Sequence, residues 1–162
     1  MQNPEAMKKI ILSFLLSFSL TTATFSQNIV LKDGFYYNTN GQQYSGTYTS
    51  SFESGKKKSS FEVIEGKISG PVTYFYENGN VMETGSFVSN EKNGQWIRWD
   101  EQGHKIAEAF YVQGKKDGVW LVWDQKGTKR YEMVYALGEK VGKWMMWDEN
   151  GKLTSEKMFS AI

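Results

Sequence analysis

Tryptophan is the first residue type in this chain whose spacing could support chemistry. Trp96, Trp120 and Trp144 are 24 residues apart, and three further tryptophans repeat the same interval. Aromatic rings can stack on a glycan or hold a cation. Because one Trp also buries on the order of 150–250 Å², packing within a thin sheet explains the same pattern. The candidate binding surface comprises Trp96, Trp120, Trp144, Trp99, Trp123, Trp147, Tyr111 and Tyr135.

Acidic side chains recur at the same interval without forming a catalytic constellation. Glu108, Glu132 and Glu156 are 24 residues apart, which on consecutive hairpins is too far for one metal ion and lacks the spacing of an acid–base pair. We expect them to pair with Lys or Arg on neighbouring strands. His104, the only histidine, is predicted to be an exposed residue at the start of a strand. The sequence therefore predicts no catalytic residues, no metal site, no cofactor and no enzymatic activity.

Lysine supplies the third recurring side chain, at positions predicted to lie in loops. Lys92, Lys116 and Lys140 are 24 residues apart, and each has an acidic neighbour in the sequence. A row of lysines could face phospholipid, but local neutralisation by Glu91, Asp117 and Glu139 weakens that interpretation.

These side chains are positioned by an internal repeat of 24 residues. Residues 94–103 read Gly-Gln-Trp-Ile-Arg-Trp-Asp-Glu-Gln-Gly, and the pattern returns at residues 118–127 and 142–151. Earlier copies start at Gly46 and Gly70. We predict five hairpin repeats over residues 46–162, preceded at residues 27–45 by an N-terminal capping strand or half-repeat.

The turn residues predict an antiparallel meander. Asp100, Asp124 and Asp148 each precede a Gly by three residues, as in a type I turn closed by a Gly bulge. The segments 66–70, 114–118 and 138–142 are expected to be short links between hairpins, with Asn90 replacing a glycine in one copy because Asn tolerates the left-handed region. The predicted fold is all-β, an elongated, curved or twisted single-layer meander of about eleven strands.

Side chains alternate between the two faces of a strand. This alternation places Trp96, Trp120 and Trp144 on one face, and Trp99, Trp123 and Trp147 on the other. Equivalent rings are expected to lie about 9–10 Å apart, which is two strand spacings.

Charge and the N-terminus restrict the class of protein further. Lys8 and Lys9 precede a short apolar run that ends near Leu20, which is typical of a secretory signal peptide at residues 1–26. Without that segment the chain has equal numbers of basic and acidic residues, which argues against nucleic acid as a partner. No cysteine is present. We expect an exported protein that is periplasmic, outer-membrane-associated or secreted; an uncleaved N-terminal anchor is the alternative.

The hairpins, with Gly-x-Trp opening a strand and Asp-Glu-Asn-Gly closing it, resemble the MORN-repeat variants of bacterial proteins catalogued as antitoxin components of toxin–antitoxin systems. The resemblance covers residues 34–159 and implies a MORN-like fold that serves in scaffolding, partner binding or phospholipid contact. Residues 142–151 and 76–85 are also similar to choline-binding and glucan-binding cell-wall repeats, although those units are shorter.

The sequence therefore predicts an exported, non-enzymatic β-repeat protein acting as a protein-interaction scaffold or antitoxin-like binding module. Envelope carbohydrate or cell-wall binding through the Trp columns is the alternative, and a membrane surface is a further candidate partner. The last strand, near Met158 and Phe159, is expected to be an open edge through which two copies could form a homodimer.

Overall fold

The computed structural model describes residues 28–160. The predicted signal peptide at residues 1–26 lies outside these described residues. Thirteen strands are formed within them. They are β1 (Val30–Lys32), β2 (Phe35–Tyr37), β3 (Gly46–Ser51), β4 (Lys57–Ile64), β5 (Lys67–Phe75), β6 (Val81–Val88), β7 (Glu91–Trp99), β8 (Lys105–Val112), β9 (Lys115–Lys116), β10 (Gly118–Trp123), β11 (Lys129–Ala136), β12 (Glu139–Trp147) and β13 (Leu153–Phe159).

Strands β3 to β13 form one 11-stranded antiparallel sheet in which strands adjacent in the sequence pair with each other, except β9 and β10. β9 and β10 are two parts of one interrupted strand, and both pair with β8. The predicted all-β class and long antiparallel meander of hairpins are therefore confirmed. β3 and β13 are the two edges of this sheet.

Two turn types alternate along the sheet. In the first, Asp100 Oδ1 accepts hydrogen bonds from the backbone N–H groups of Gln102 (3.0 Å) and His104 (2.9 Å). Asp124 and Asp148 accept the equivalent pairs in their own repeats. The aspartates are thus turn formers, as their spacing predicts.

The second turn type corrects the prediction of five-residue links. Only two residues form each turn, for example Gln113 and Gly114 with φ of 48° and 75°. Positive φ at both central positions is the type I′ geometry, whose twist matches that of the flanking strands. Apart from Asp117, which separates β9 from β10, the remainder of each predicted link belongs to a strand. Asn90, with φ of 72°, occupies the left-handed position as expected.

A small second sheet covers one end of the large sheet. β1 pairs with β2, and Tyr37 of β2 also forms an isolated bridge with Gln43. The ring of Tyr36 on β2 lies 5.2 Å from Tyr48 and 5.6 Å from Phe61. The Tyr36 N–H donates to the Gly66 carbonyl (2.8 Å), which fixes β2 against the β4–β5 turn. The buried core, formed by Phe61, Val63, Val72 and Trp96, lies at this end.

Candidate functional site

Seven aromatic rings form a continuous row across strands β6 to β13. Each ring contacts the next, with centroid separations of 5.1, 6.2, 5.2, 5.4, 5.1 and 4.9 Å along the row. We call this row the ring ladder and the side of the sheet that carries it the ladder face. Its members, in order, are Phe87, Trp96, Tyr111, Trp120, Tyr135, Trp144 and Phe159.

The strand register explains why the row is continuous. Each Phe or Tyr of the ladder is paired with the glycine that opens a repeat, as in Gly94↔Tyr111 and Gly118↔Tyr135. The glycine has no side chain there, so the ring leans towards the Trp two residues further along. Tyr111 and Tyr135 fill the intervals between equivalent tryptophans, so the row is continuous, which the 24-residue spacing of the tryptophans alone does not indicate.

Lysine ammonium groups lie over the tryptophans of the ladder. Lys92 Nζ is 3.6 Å from the Trp96 ring centroid, Lys116 Nζ is 4.2 Å from that of Trp120, and Lys140 Nζ is 4.7 Å from that of Trp144. These distances allow cation–π attraction. The prediction that these lysines lie in loops is wrong: all three belong to strands β7, β9 and β12.

The indole N–H groups differ between repeats. Trp120 Nε1 donates to the Phe110 carbonyl at 3.1 Å, and Trp144 Nε1 donates to the Val134 carbonyl at 2.9 Å. Trp96 Nε1 is buried and has no hydrogen-bond partner among the described residues. Trp96 is 2% exposed, whereas Trp120 and Trp144 are half-buried.

Gly85 allows the Trp96 ring to lie close to the backbone of the sheet. A Cβ at Gly85 would lie 2.2 Å from Cδ2 and Cε2 of the Trp96 indole, so the ring occupies the space of a side chain. One repeat later the same place in the sequence holds Ala109, and in the following repeats it holds Met133 and Lys157. The size of the side chain therefore increases along this column of equivalent positions. The column was not identified from the sequence, although its 24-residue spacing could have revealed it.

Burial and charge change the pKa of two groups on the ladder face. Burial lowers the pKa of Lys92, and Arg98 lowers it further, while Glu83 opposes the shift. The Lys92 and Glu83 side chains are 3.8 Å apart. Burial also raises the pKa of Tyr111, with smaller contributions from Glu83 and Tyr135.

The opposite face carries Trp99, Trp123 and Trp147, as strand alternation predicts. These three rings do not contact one another or the ladder within residues 28–160; instead, Lys105 lies 4.5 Å above Trp123 and Lys129 lies 4.2 Å above Trp147. The eight predicted surface residues are thus divided between two faces. Only Trp96, Trp120, Trp144, Tyr111 and Tyr135 are brought together.

The glutamate column belongs to the opposite face and forms ion pairs. Glu108 contacts Lys105 at 2.8 Å and Glu132 contacts Lys129 at 2.7 Å, each on its own strand. Only Glu156 has the predicted cross-strand partner, Lys143 at 2.9 Å. The expectation of cross-strand pairing is therefore wrong for the first two, because a shift in register beside each turn brings the lysine at the start of the strand onto the same face as its glutamate.

A shallow apolar depression lies at the C-terminal end of the ladder face. It has a volume of about 280 Å³, and two of its residues, Tyr131 and Met146, are about 40% exposed. Its lining includes Tyr131, Met133, Trp144, Met146, Lys157 and Phe159.

The described residues contain few other features that indicate chemistry. No group of three or more His, Asp or Glu within residues 28–160 could hold a metal ion. His104 Nδ1 lies 3.1 Å from Asp100 Oδ2, and its side chain is 60% exposed, consistent with the predicted exposed position. No helix in this part of the chain is long and apolar enough to cross a membrane.

Comparison with known families locates two of the repeats. The sequence model described as MORN repeat variant matches residues 68–89, which cover most of β5 and β6, and residues 140–161, which cover most of β12 and β13. No curated protein was found to match the chain. The matches do not extend to the antitoxin-component family, which stays a prediction. The chain therefore carries repeats of the MORN variant type, arranged as hairpins of one antiparallel sheet.

Proposed function

We propose that this protein is an exported, non-enzymatic scaffold that binds another protein on the C-terminal half of its ladder face. Repeats of the MORN type are generally associated with protein or membrane binding. The observation that supports this role most directly is that beyond its covered end the ladder presents the half-buried rings of Trp120, Trp144 and Phe159, although Tyr135 among them is only 8% exposed. An antitoxin-like role is one form of this proposal, in which the bound protein is a toxin.

The area and rigidity of the surface support protein binding. Aromatic residues are enriched in protein interfaces because they present large contact areas at low cost in conformational entropy. Here every ring is held by its neighbours and by the sheet, so little order has to be gained on binding. Exposed apolar side chains such as Met146, at 38% exposure, lie beside these rings.

Carbohydrate binding receives less support from the ladder. Stacking on a sugar requires an accessible ring face, whereas the Lys116 and Lys140 ammonium groups lie over the rings of Trp120 and Trp144. The rings also meet one another at tilted or edge-on angles of 54–62° from Tyr111 onwards, so they do not form one flat platform.

Site-specific crosslinking tests the proposal. A photoreactive amino acid replaces Met146 on the ladder face, and in a matched control it replaces Val119, which is 49% exposed on the opposite face. Both variants are exposed to the envelope and extracellular fractions of the native source. We expect one defined protein to be captured through position 146, at least tenfold more than through position 119, and to be lost after Trp144→Ala.

Other results would contradict a protein partner. Equal capture at both positions would indicate no preferred face. Saturable binding to purified envelope polysaccharide or to lipid vesicles, lost in Trp120→Ala and Trp144→Ala with no protein captured, would replace the protein with a glycan or a membrane.

A further inference from the structure

Charge is distributed very differently on the two faces of strands β8 to β13. On the opposite face, Glu108, Glu132 and Glu156 are each paired with a lysine. On the ladder face, the residues paired along these strands include no Asp or Glu. They are Ala107, Ala109, Tyr111, Lys116, Gly118, Trp120, Val122, Tyr131, Met133, Tyr135, Lys140, Gly142, Trp144, Met146, Ser155, Lys157 and Phe159.

Three lysines on this surface lack an acidic partner. Lys116, Lys140 and Lys157 have no carboxylate within 4.0 Å among residues 28–160, and each ammonium group lies over an aromatic ring. Lys92, in the preceding repeat, is paired with Glu83. An ammonium group has three donors, so contact with a ring leaves it able to bind an anion from the solvent side. The surface is therefore complementary to a ligand that combines negative charge with apolar groups.

The spacing of the lysines limits the conformation of such a ligand. Lys116 and Lys140 are equivalent residues two strands apart, hence about 9.4–9.8 Å from each other in the direction across the strands. A polyproline II segment has three residues per turn and rises about 3.1 Å per residue. Its residues i and i+3 therefore lie on the same side about 9.3 Å apart, which matches the lysine interval.

Other peptide conformations match this interval less well. In an extended β-strand, residues on one side recur about every 6.6–6.8 Å, and in an α-helix each turn rises 5.4 Å. Two helical turns rise about 10.8 Å and two strand repeats about 13.2–13.6 Å, so both match the interval between Lys116 and Lys140 less closely. The exposed aromatic and apolar side chains beside the lysines, Tyr131 and Met146, also suit a polyproline II segment, because such segments dock against aromatic surfaces and lose little entropy on binding.

We infer that the ladder face binds an acidic polyproline II segment of another protein, laid across the strands with a carboxylate at every third residue. Lys116 and Lys140 receive successive carboxylates, and Lys157 extends the positive surface. The apolar residues of the segment pack on the exposed side chains of Tyr131 and Met146, which border the half-buried Trp144. This inference rests on the proposed protein-binding function and specifies the chemistry of its partner.

Synthetic peptides provide the test, with the full chain in its native processed form. Isothermal titration calorimetry compares (Glu-Pro-Pro)4 with (Glu-Gly-Gly)4, which has the same charges on a flexible backbone, and with (Lys-Pro-Pro)4. We expect (Glu-Pro-Pro)4 to bind at least tenfold more tightly than (Glu-Gly-Gly)4, and (Lys-Pro-Pro)4 not to bind measurably. The affinity should also fall as salt increases.

Variants locate the binding site. The double change Lys116→Met and Lys140→Met keeps most of the apolar stem of each side chain and should weaken (Glu-Pro-Pro)4 binding at least tenfold. The matched control, Lys129→Met with Lys143→Met, removes two lysines from the opposite face and should change the affinity by less than twofold.

Several outcomes would overturn the inference. These are equal affinity for the proline and glycine peptides, equal losses in the two double variants, tighter binding of an acidic helical peptide of equal charge, or tighter binding to phosphatidylglycerol vesicles. The proposed protein-binding function does not depend on this inference. If the Lys116→Met/Lys140→Met variant still captured a protein through position 146, that protein would be a partner of different chemistry.

Discussion

Trp96 and Trp144 occupy the same place in repeats two units apart, yet they are built into the molecule in different ways. Trp96 is 2% exposed, lies over Gly85 and belongs to the buried core. Trp144 is half-buried, donates its indole N–H to Val134 and borders the shallow depression. The same residue type at the same repeat position thus closes the core at one end of the ladder and remains accessible at the other.

The difference arises from the neighbours of each ring. At the N-terminal end, β1 and β2 place Tyr36 over the sheet, and Gly85 lets Trp96 descend to the backbone. At the C-terminal end, Met133 and Lys157 occupy the positions that correspond to Gly85. The tryptophan of the ladder is therefore packed into the core at one end of the sheet and partly accessible at the other, although both derive from one repeat.

Replacement of the two tryptophans should give the largest contrast. Trp96→Ala leaves a cavity in the core, and we expect it to lower the free energy of unfolding by about 3–5 kcal/mol. Trp144→Ala removes a ring that is already half in water, and we expect a loss of about 1–2 kcal/mol. Urea denaturation followed by circular dichroism measures both values.

Hydrogen exchange sharpens this contrast. Because repeats contact only their neighbours, local opening stays local. Trp144→Ala should accelerate exchange mainly in β12 and β13, whereas Trp96→Ala should accelerate it from β4 to β8. Equal losses of stability, or equal spread of the exchange, would show that the two halves are not energetically distinct.

Gly85→Ala should have the next largest effect. The added methyl group would meet the Trp96 ring, and overpacking of this kind costs about 1–3 kcal/mol. The control is Ala109→Gly at the corresponding position of the next repeat, where loss of the methyl group should cost about 0.5–1 kcal/mol. Crystal structures or Trp96 fluorescence would show whether the ring has been lifted. An unchanged stability in Gly85→Ala would mean that Gly85 does not set the depth of Trp96.

Much of this architecture could be predicted from the sequence. The Asp-x-x-Gly turns placed one end of each of the last three hairpins, because an Asp carboxylate accepts the turn N–H groups in each of them. The period of two in a strand placed Trp96 and Trp99 on opposite faces. Both inferences depend only on local geometry, which repeats with the sequence.

The composition of the ladder face could not be predicted in the same way. Glycines at both ends of residues 114–118 indicated a loop, but the type I′ turn uses only Gln113 and Gly114, and the chain resumes pairing at Lys115. Lys116 therefore lies over Trp120 instead of in solvent. The depth of Trp96 depends on its contact with Gly85 across the strands, and that contact is known only when the register is known.

The edge strands of the sheet have unpaired backbone groups through which two molecules could associate. Within residues 28–160, β13 pairs with β12 alone, and Met158 on it is 67% exposed. We expect weak, concentration-dependent dimerisation through this edge, and we expect Met158→Lys to abolish it because a charge on an edge strand opposes pairing. Val119→Lys, on an interior strand, is the control and should dimerise like the unmodified protein. Multi-angle light scattering measures the mass, and a strict monomer at high concentration would exclude the dimer.

Alkaline pH should have the smallest effect on the free energy of unfolding, and it should act through three partly buried tyrosines. Burial raises the pKa values of Tyr36, Tyr74 and Tyr111 above the usual value of 10.0. A raised folded-state pKa means that the neutral phenol is favoured in the fold. Its contribution to stability is complete below pH 10 and is lost as the pH rises through the folded-state pKa. Lys92 acts in the opposite direction, since its lowered pKa makes the folded state relatively more stable as the pH rises towards 10.

Absorbance at 295 nm separates these contributions. We expect a late-titrating group of phenols in the folded protein that shrinks in Tyr36→Phe, Tyr74→Phe and Tyr111→Phe and disappears in guanidinium chloride. The Lys92→Met variant removes the opposing titration, so its stability should decline more steeply above pH 10 than that of the unmodified protein. If all phenols titrate together in the folded state, the N-terminal half is as open to solvent as the C-terminal half, and the contrast between Trp96 and Trp144 must have another cause than burial.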